Sequence, residues 1–327
     1  MRSCFTASRS SRLQSRFIKR ELNRILVIRG GAIGDFILTL PALNALRDAY
    51  PEARIEILGY KHIAAFAENR FYAQAVRSIE SGPLSSFFAK DSKLPDELVS
   101  YFASFDLILS YLYDPDRIFE NNLRRCDARE IMRGPAKIES HSHATRQLAK
   151  PLEELEISIT NFAPKIFPSA GDRQFAREFL KSCAPPLIAL HPGSGSEKKN
   201  WPLNNWIDLG NDLPAPLIVV SGEADENQVL VLEKEWKDRH VLFAKNLPLP
   251  HLAAVLEGAL FVGHDSGISH LAAASGANCV LLFGPTNPDV WAPLNENVRV
   301  LRAPSHRMED VDLATVTRIV MERFDQQ

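Results

Sequence analysis

Three loops in this chain gather the residue types that could do chemistry. The first is Arg29-Gly30-Gly31-Ala32-Ile33-Gly34-Asp35. Glycines that follow an apolar run let the backbone approach a ligand and open a helix whose N-terminus attracts anions. Gly31 and Gly34 fit the second and third glycines of a dinucleotide-binding GxGxxG, but Arg29 stands where the first must be, which argues against NAD. Asp35 falls in the first helical turn and has two readings: a carboxylate that complements the helix dipole, or a base aimed into a cleft. The second loop is His191-Pro192-Gly193-Ser194-Gly195-Ser196-Glu197-Lys198-Lys199. Small residues with free N–H and hydroxyl donors, followed by lysines, suit a phosphate cradle. The P-loop spacing is absent, and the plainer alternative is a surface loop with a solvated lysine pair. The third runs Gly263-His264-Asp265-Ser266-Gly267-Ile268-Ser269-His270 and continues to Phe283-Gly284-Pro285-Thr286. Ser266 is a natural helix N-cap, and His270 reads either as a packed helical histidine or as part of an anion site. The hydrolase reading of Asp, Ser and His fails because His264 occupies the first glycine of GxSxG.

Other sequence features point away from competing chemistries. Asp114-Pro115-Asp116 matches a metal-holding DxD, but with 40 acidic residues such triplets arise by chance. The histidines at 141, 143, 191, 264 and 270 lack metal-ligand spacing, so no metal is expected. The four cysteines, Cys4, Cys126, Cys183 and Cys279, form no CxxC, which argues against a zinc knuckle and fits a reducing compartment. Basic and acidic residues number 38 and 40, so a phosphate-tracking nucleic-acid binder is disfavoured. No apolar run reaches the ~18 residues of a spanning helix. Residues 1–24 form a basic tail with seven Arg and Lys against Glu21. The expectation is a disordered arm or an upstream start, and the alternative is an arm that contacts anionic lipid.

The elements that must position these loops follow from hydrophobic patterning. Ile25-Leu26-Val27-Ile28 is a continuous apolar run of the kind buried on both faces of a parallel sheet. A helix over 36–49, a strand over 54–58, a helix over 62–68 and strands over 75–79 and 106–110 follow it. The pattern lapses over 158–170, around Pro164 and Pro168, which predicts a linker. It restarts with a helix over 172–182 and a strand over 187–190. Strands over 217–221, 240–243, 259–262, 279–283 and 298–301 then alternate with helices over 203–210, 226–237, 249–256, 267–275 and 308–324. Alternation of this kind predicts α/β architecture with parallel sheets, and two such units in tandem make a cleft. The expected division is a basic tail at 1–24, a first Rossmann-like domain at 25–165 and a second at 166–327.

Taken together, the three loops resemble glycosyltransferase family 9, typified by the ADP-heptose:lipopolysaccharide heptosyltransferases. The residues that carry the resemblance are Gly34-Asp35, Thr39, Pro41, Leu46 and Tyr50-Pro51, then His191-Pro192-Gly193-Ser194, Lys199, Trp201-Pro202 and Trp206. The most specific set is Asp265-Ser266-Gly267, Ser269-His270-Leu271-Ala272-Ala273, Phe283-Gly284-Pro285-Thr286, Trp291 and Pro293. The resemblance implies the GT-B fold, two Rossmann-like domains whose parallel sheets face an interdomain cleft. It implies that the first domain presents the acceptor and that Asp35 is the catalytic base. It implies that the second domain holds the nucleotide-sugar, with Lys199 on the phosphates and Ser194 or Ser196 assisting. Glu226, with Glu223 competing, is implied at the adenosine, and Asp265, Ser266, Gly267 and His270 at the start of the donor-binding helix. Residues 81–133 match no family signature.

The implied activity is inverting, metal-independent transfer of a heptose or related sugar, with no cofactor. The donor would be a nucleotide-sugar such as ADP-heptose, and the acceptor a lipopolysaccharide-core or other cell-envelope glycan. The implied location is the cytoplasm, with peripheral contact at the inner membrane. Two alternatives remain at this stage: a GT-B sugar-nucleotide epimerase, which would want an array of acids and histidines, and a non-catalytic nucleotide-sugar binder.

Overall fold

The computed structural model describes residues 21–183 and 185–326. Most of the basic tail therefore lies outside the described residues. The apolar run forms β1 (Arg24–Arg29), with Ile25, Leu26, Val27 and Ile28 all buried. It lies at the centre of a five-stranded sheet with β2 (Arg54–Gly59), β3 (Ala75–Ser78), β4 (Leu107–Ser110) and β5 (Ile131–Arg133). The order is β3-β2-β1-β4-β5, and every pairing is parallel, with Ile25 beside Ile55 on one side and Leu107 on the other.

The second sheet has six parallel strands: β6 (Ile188–His191), β7 (Leu217–Ser221), β8 (Val241–Lys245), β9 (Leu260–His264), β10 (Asn278–Phe283) and β11 (Val298–Arg302). Their order is β11-β10-β9-β6-β7-β8. Each sheet reverses its winding once, at β1/β4 in the first and at β6/β9 in the second. Ligands of open α/β sheets bind outside the carboxyl ends of strands at such reversals. The loops after β1, β6 and β9 are the three that carry the chemical residues.

Local deviations from the sequence reading have local causes. The helix expected from residue 36 begins three residues earlier, as Ile33–Ala49, because the Asp35 carboxylate accepts the Ala32 N–H at 2.9 Å and caps the extra turn. The helix expected over 62–68 is a short helix Lys61–Ala64 continued by a 3-10 turn Ala65–Ala67. At the C-terminus a 3-10 turn Met308–Asp310 precedes helix Leu313–Phe324, whose start is set by Asp312 accepting the Thr315 N–H at 2.9 Å. The stretch unmatched in sequence holds a 3-10 helix Gly82–Phe88, helices Asp96–Ala103 and Ile118–Arg124, and β5. Residues 157–169 contain no regular element, and both flanking units pin them. The Tyr72 hydroxyl donates to Lys165 O at 2.5 Å, Asn295 Nδ2 to Pro164 O at 2.8 Å and Ile166 N–H to Ala274 O at 2.8 Å.

Each sheet buries one face in its own apolar cluster, around Phe87, Phe102 and Phe105 in the first and Trp201, Trp206 and Trp236 in the second. The other two faces share a third cluster, which runs through helix Ile33–Ala49 and helix Gly267–Ala274. These helices meet at their N-termini, where Gly267 leaves room for the Ile33 side chain and the Gly34 backbone. A Cβ built on Gly267 would lie 2.7 Å from Ile33 Cβ and 3.0 Å from Gly34 N. Gly267→Ala should therefore separate the two helix starts, lowering stability by about 1–3 kcal/mol through overpacking. Urea unfolding of the variant checks this, and an unchanged midpoint would mean that the contact carries no strain.

Candidate active site

The loop after β1 is built around a buried cation. Arg29 is 6% exposed, and its Nε donates to Thr39 Oγ1 at 3.0 Å while Nη2 donates to the Asp35 carbonyl at 3.1 Å. Thr39 Oγ1 donates to the same carbonyl at 2.8 Å. Nη2 also stands 3.5 Å from Asp35 Oδ1. Burial pulls the guanidinium below its ordinary pKa, with Asp35 acting in the opposite direction. Gly31 has φ +94°, and a Cβ there would come 2.7 Å from Asp35 Oδ2, so glycine is required both by the turn and by the carboxylate. The two readings of Asp35 are thus not exclusive. One oxygen caps the helix, and the side chain keeps 37% of its surface exposed.

The loop after β6 is held by a single imidazole from the strand beside it. His264 is fully buried; its Nε2 accepts the Trp201 N–H at 2.9 Å, so Nδ1 carries the proton and donates to Gly193 O at 3.3 Å. Both ends of the loop that bears Lys199 are clipped to β9 in this way. Burial lowers the His264 pKa to about 3, consistent with a neutral ring using both nitrogens. Lys199 Nζ reaches across the loop to Asp265 Oδ2 at 2.7 Å. Below it, Ser266 Oγ caps its helix by accepting the Ser269 N–H at 3.2 Å and lies 3.4 Å from His191 Nδ1. His191 Nε2 is 3.5 Å from Asp225 Oδ2, which accepts the Gly222 N–H at 3.0 Å. Burial pushes the Asp225 carboxyl up, but the bonds from His191 and Gly222 outweigh it and hold it below the usual carboxylate range. Asp225 was not singled out from sequence; the signal was its place three residues after Gly222, the spacing of a helix-capping carboxylate.

These elements enclose a cleft of about 380 Å³ lined by Ala32, Gly34, Asp35, Leu38, Ser194, Lys199, Asp265, Ser266, Gly267, His270, Thr286 and Trp291. Seven of the sequence-selected residues meet there: Asp35, Ser194, Lys199, Asp265, Ser266, Gly267 and His270. Ser196 and Glu226 are exposed and lie outside that lining, as does Glu223. The Ser194 hydroxyl turns back into its own loop, with Asn200 Oδ1 at 2.6 Å and Ser196 O at 2.9 Å as acceptors. His270 is 4% exposed, and burial lowers its pKa to about 4. Asp114 accepts the Glu120 N–H at 2.9 Å, so the DxD serves the start of helix Ile118–Arg124. Among the described residues no three His, Cys, Asp or Glu side chains cluster as a metal site. The cleft receives the positive ends of two helices and the Lys199 ammonium, offset by Asp35 and Asp265. That field suits an anionic group beside a carboxylate able to accept a proton.

Two parallel α/β sheets facing such a cleft make the architecture of a GT-B glycosyltransferase. Solved structures agree: the glycosyl transferase family 9 protein from Veillonella parvula DSM 2008 superposes with a TM-score of 0.78 at 19% identity, covering 94% of this chain and 99% of that one. E. coli heptosyltransferase WaaC with ADP gives 0.68 at 18% identity, covering 91% and 99%. Lipopolysaccharide heptosyltransferase 1 of Salmonella typhimurium is 24% identical over 316 residues, 90% of this chain and 98% of that protein. The family model for glycosyltransferase family 9 (heptosyltransferase) matches residues 133–318, more than half of the chain, and the protein belongs to that family. It is a glycosyltransferase.

The buried rings of His264 and His270 make a pH prediction. Both ionise near 6.5 when unfolded and near 3 and 4 in the fold. Their stabilisation is complete above pH 6.5 and is lost as pH falls toward those values. The urea-unfolding free energy should drop by about 2 kcal/mol per histidine between pH 7 and pH 5. Equal stability at the two pH values would mean that the rings are solvated.

Proposed function

We propose that the enzyme transfers heptose, with inversion and without a metal ion, from ADP-heptose to a lipopolysaccharide-core acceptor. The observation that carries this reading is the single cleft in which Asp35 of one domain faces Lys199 and the N-terminus of helix Gly267–Ala274 of the other. The heptosyltransferase relatives and the ADP named for WaaC support the choice of donor.

Inversion is an in-line displacement at the anomeric carbon. The acceptor hydroxyl loses a proton as the bond to the diphosphate breaks, so one carboxylate at the hydroxyl suffices as base. Asp35 takes that role, its orientation set by the Ala32 N–H and its proximity to Arg29. Charge grows on the leaving diphosphate. Lys199 and the N–H groups at the helix start stabilise it, and the developing charge draws Lys199 away from Asp265. Ser194, Ser266, Gly267 and His270 complete the donor side of the cleft, with Ser196 and Glu226 joining only if the loops after β6 and β7 move onto bound nucleotide. The acceptor of this reading is lipid-anchored and the donor cytoplasmic, so the enzyme works in the cytoplasm at the inner membrane. No helix among the described residues is long and apolar enough to cross a membrane.

Asp35→Asn should lower heptosyl transfer about 10²–10⁴-fold while ADP affinity stays within twofold, because the donor contacts lie on the other domain. Near-normal turnover would remove Asp35 from the mechanism, and a parallel loss of ADP affinity and stability would leave it only a helix cap. Transfer assayed in excess chelator should proceed at the untreated rate. Activity that vanishes and returns only with added divalent ion would contradict the metal-independent route and bring Asp114 and Asp116 back into question.

A further inference from the structure

One wall of the cleft is formed by Thr286 and Trp291, in the segment that follows β10. Nothing in the chemistry above explains what fixes that wall. Its neighbour Ala292 is buried, and the Ala292 carbonyl accepts a hydrogen bond at 2.7 Å from Nε2 of His143, a residue of the first domain. The ring's other nitrogen is committed as well. His143 Nδ1 caps helix Ala144–Ala149 by accepting the Thr145 N–H at 3.2 Å, and Thr145 Oγ1 lies 2.8 Å from it. A nitrogen that accepts a backbone N–H carries no proton, so the proton is on Nε2 and points at Ala292. His143 is 7% exposed, and burial pulls the imidazole pKa below its ordinary value, with the Ala292 bond acting in the opposite direction and Arg146 in the same one.

The position of this bond gives it leverage. Helix Ala144–Ala149 packs against helix Ile33–Ala49, whose first turn bears Asp35. The bond therefore links the frame that carries Asp35 directly to the segment that carries Thr286 and Trp291. The ties from Tyr72 to Lys165 and from Asn295 to Pro164, by contrast, run through the connecting segment. The Thr286 hydroxyl, part of that wall, is buried and has no hydrogen-bond partner among the described residues.

We propose that His143 is a positioning residue for transfer: through Ala292 it holds Trp291 and Thr286 at a fixed distance from Asp35, so that a sugar resting on that wall meets the base in reacting geometry. The inference rests on the transferase reading given above. Misplacement of a reacting group by about 1 Å can slow an enzyme about 100-fold, so a single interdomain hydrogen bond is enough to matter.

Two substitutions separate the ring's two duties. His143→Asn keeps a side-chain oxygen near Nδ1, where it still caps the helix, but is too short to reach Ala292. His143→Gln extends an amide N–H to the position of Nε2 and gives up the cap. The wild type and both variants are assayed for heptosyl transfer, ADP affinity, melting temperature and iodide quenching of tryptophan fluorescence. Trp201, Trp206 and Trp236 are each at most 3% exposed, so quenching reports on the partly buried Trp291.

The expected result is that His143→Asn loses about 10- to 100-fold in kcat, becomes more quenchable and keeps its ADP affinity, while its melting temperature falls no further than that of His143→Gln because one buried carbonyl is left unpaired. His143→Gln should stay within about threefold of wild-type kcat with wild-type quenching, although its lost cap lowers the melting temperature. Unchanged turnover in the Asn variant overturns the proposal, as does turnover that simply follows melting temperature across the pair. Wild-type protein that transfers no heptose, with quenching changed as expected, would instead refute the assigned reaction and leave the latch standing.

Discussion

The close approach of Gly267 to Ile33 and Gly34 is the constraint on which the rest of the site depends. Two helices, one from each domain, meet at their first turns, with the Gly267 backbone against the Ile33 side chain and the Gly34 backbone. The contact sets two positive helix ends against one cleft, an arrangement that repels itself unless negative charge lies nearby. Asp35 and Asp265 supply that charge in the protein alone. The same geometry leaves the cleft disposed toward an anionic group, the place that the proposed reaction gives to the donor's diphosphate. The shared apolar cluster continues from one sheet to the other behind this contact.

A second layer fixes the Lys199 side of the cleft. His264 clips both ends of the Lys199 loop, and Asp225, His191, Ser266 and Ser269 form a buried polar chain under it. Such a chain is stabilising only when its members are satisfied, and it then specifies one loop geometry. Lys199 is consequently delivered to the cleft by residues that do not line it, His264 and Asp225 above all.

Much of the fold was legible in the residues themselves. The run Ile25-Leu26-Val27-Ile28 announced a central parallel strand, and the glycine-rich turns after β1, β6 and β9 marked the three loops that meet at the sheet reversals. β5 was not legible, because three residues with only Met132 buried carry no period. The ends of helices shifted where capping carboxylates, as at Asp35 and Asp312, overrode the apolar pattern. The site was legible as a set of loops but not as a set of bonds. Lys199 and Asp265 are 66 positions apart, Trp201 and His264 63, and His143 and Ala292 149, and no local spacing encodes such pairings. Glu226 and Ser196 show the reverse: plausible residue types near the right loops, with side chains outside the cleft that the fold creates.

The most direct test is a crystal structure with ADP bound. The diphosphate should lie within hydrogen-bonding distance of Lys199 Nζ and of the backbone N–H groups at Ser266 and Gly267, with the Asp35 carboxylate open to the space beyond the β-phosphate. A nucleotide seated elsewhere, for example in the groove lined by Leu58, Arg77 and Tyr101, with the Lys199–Asp265 pair untouched, would contradict a donor site in the interdomain cleft.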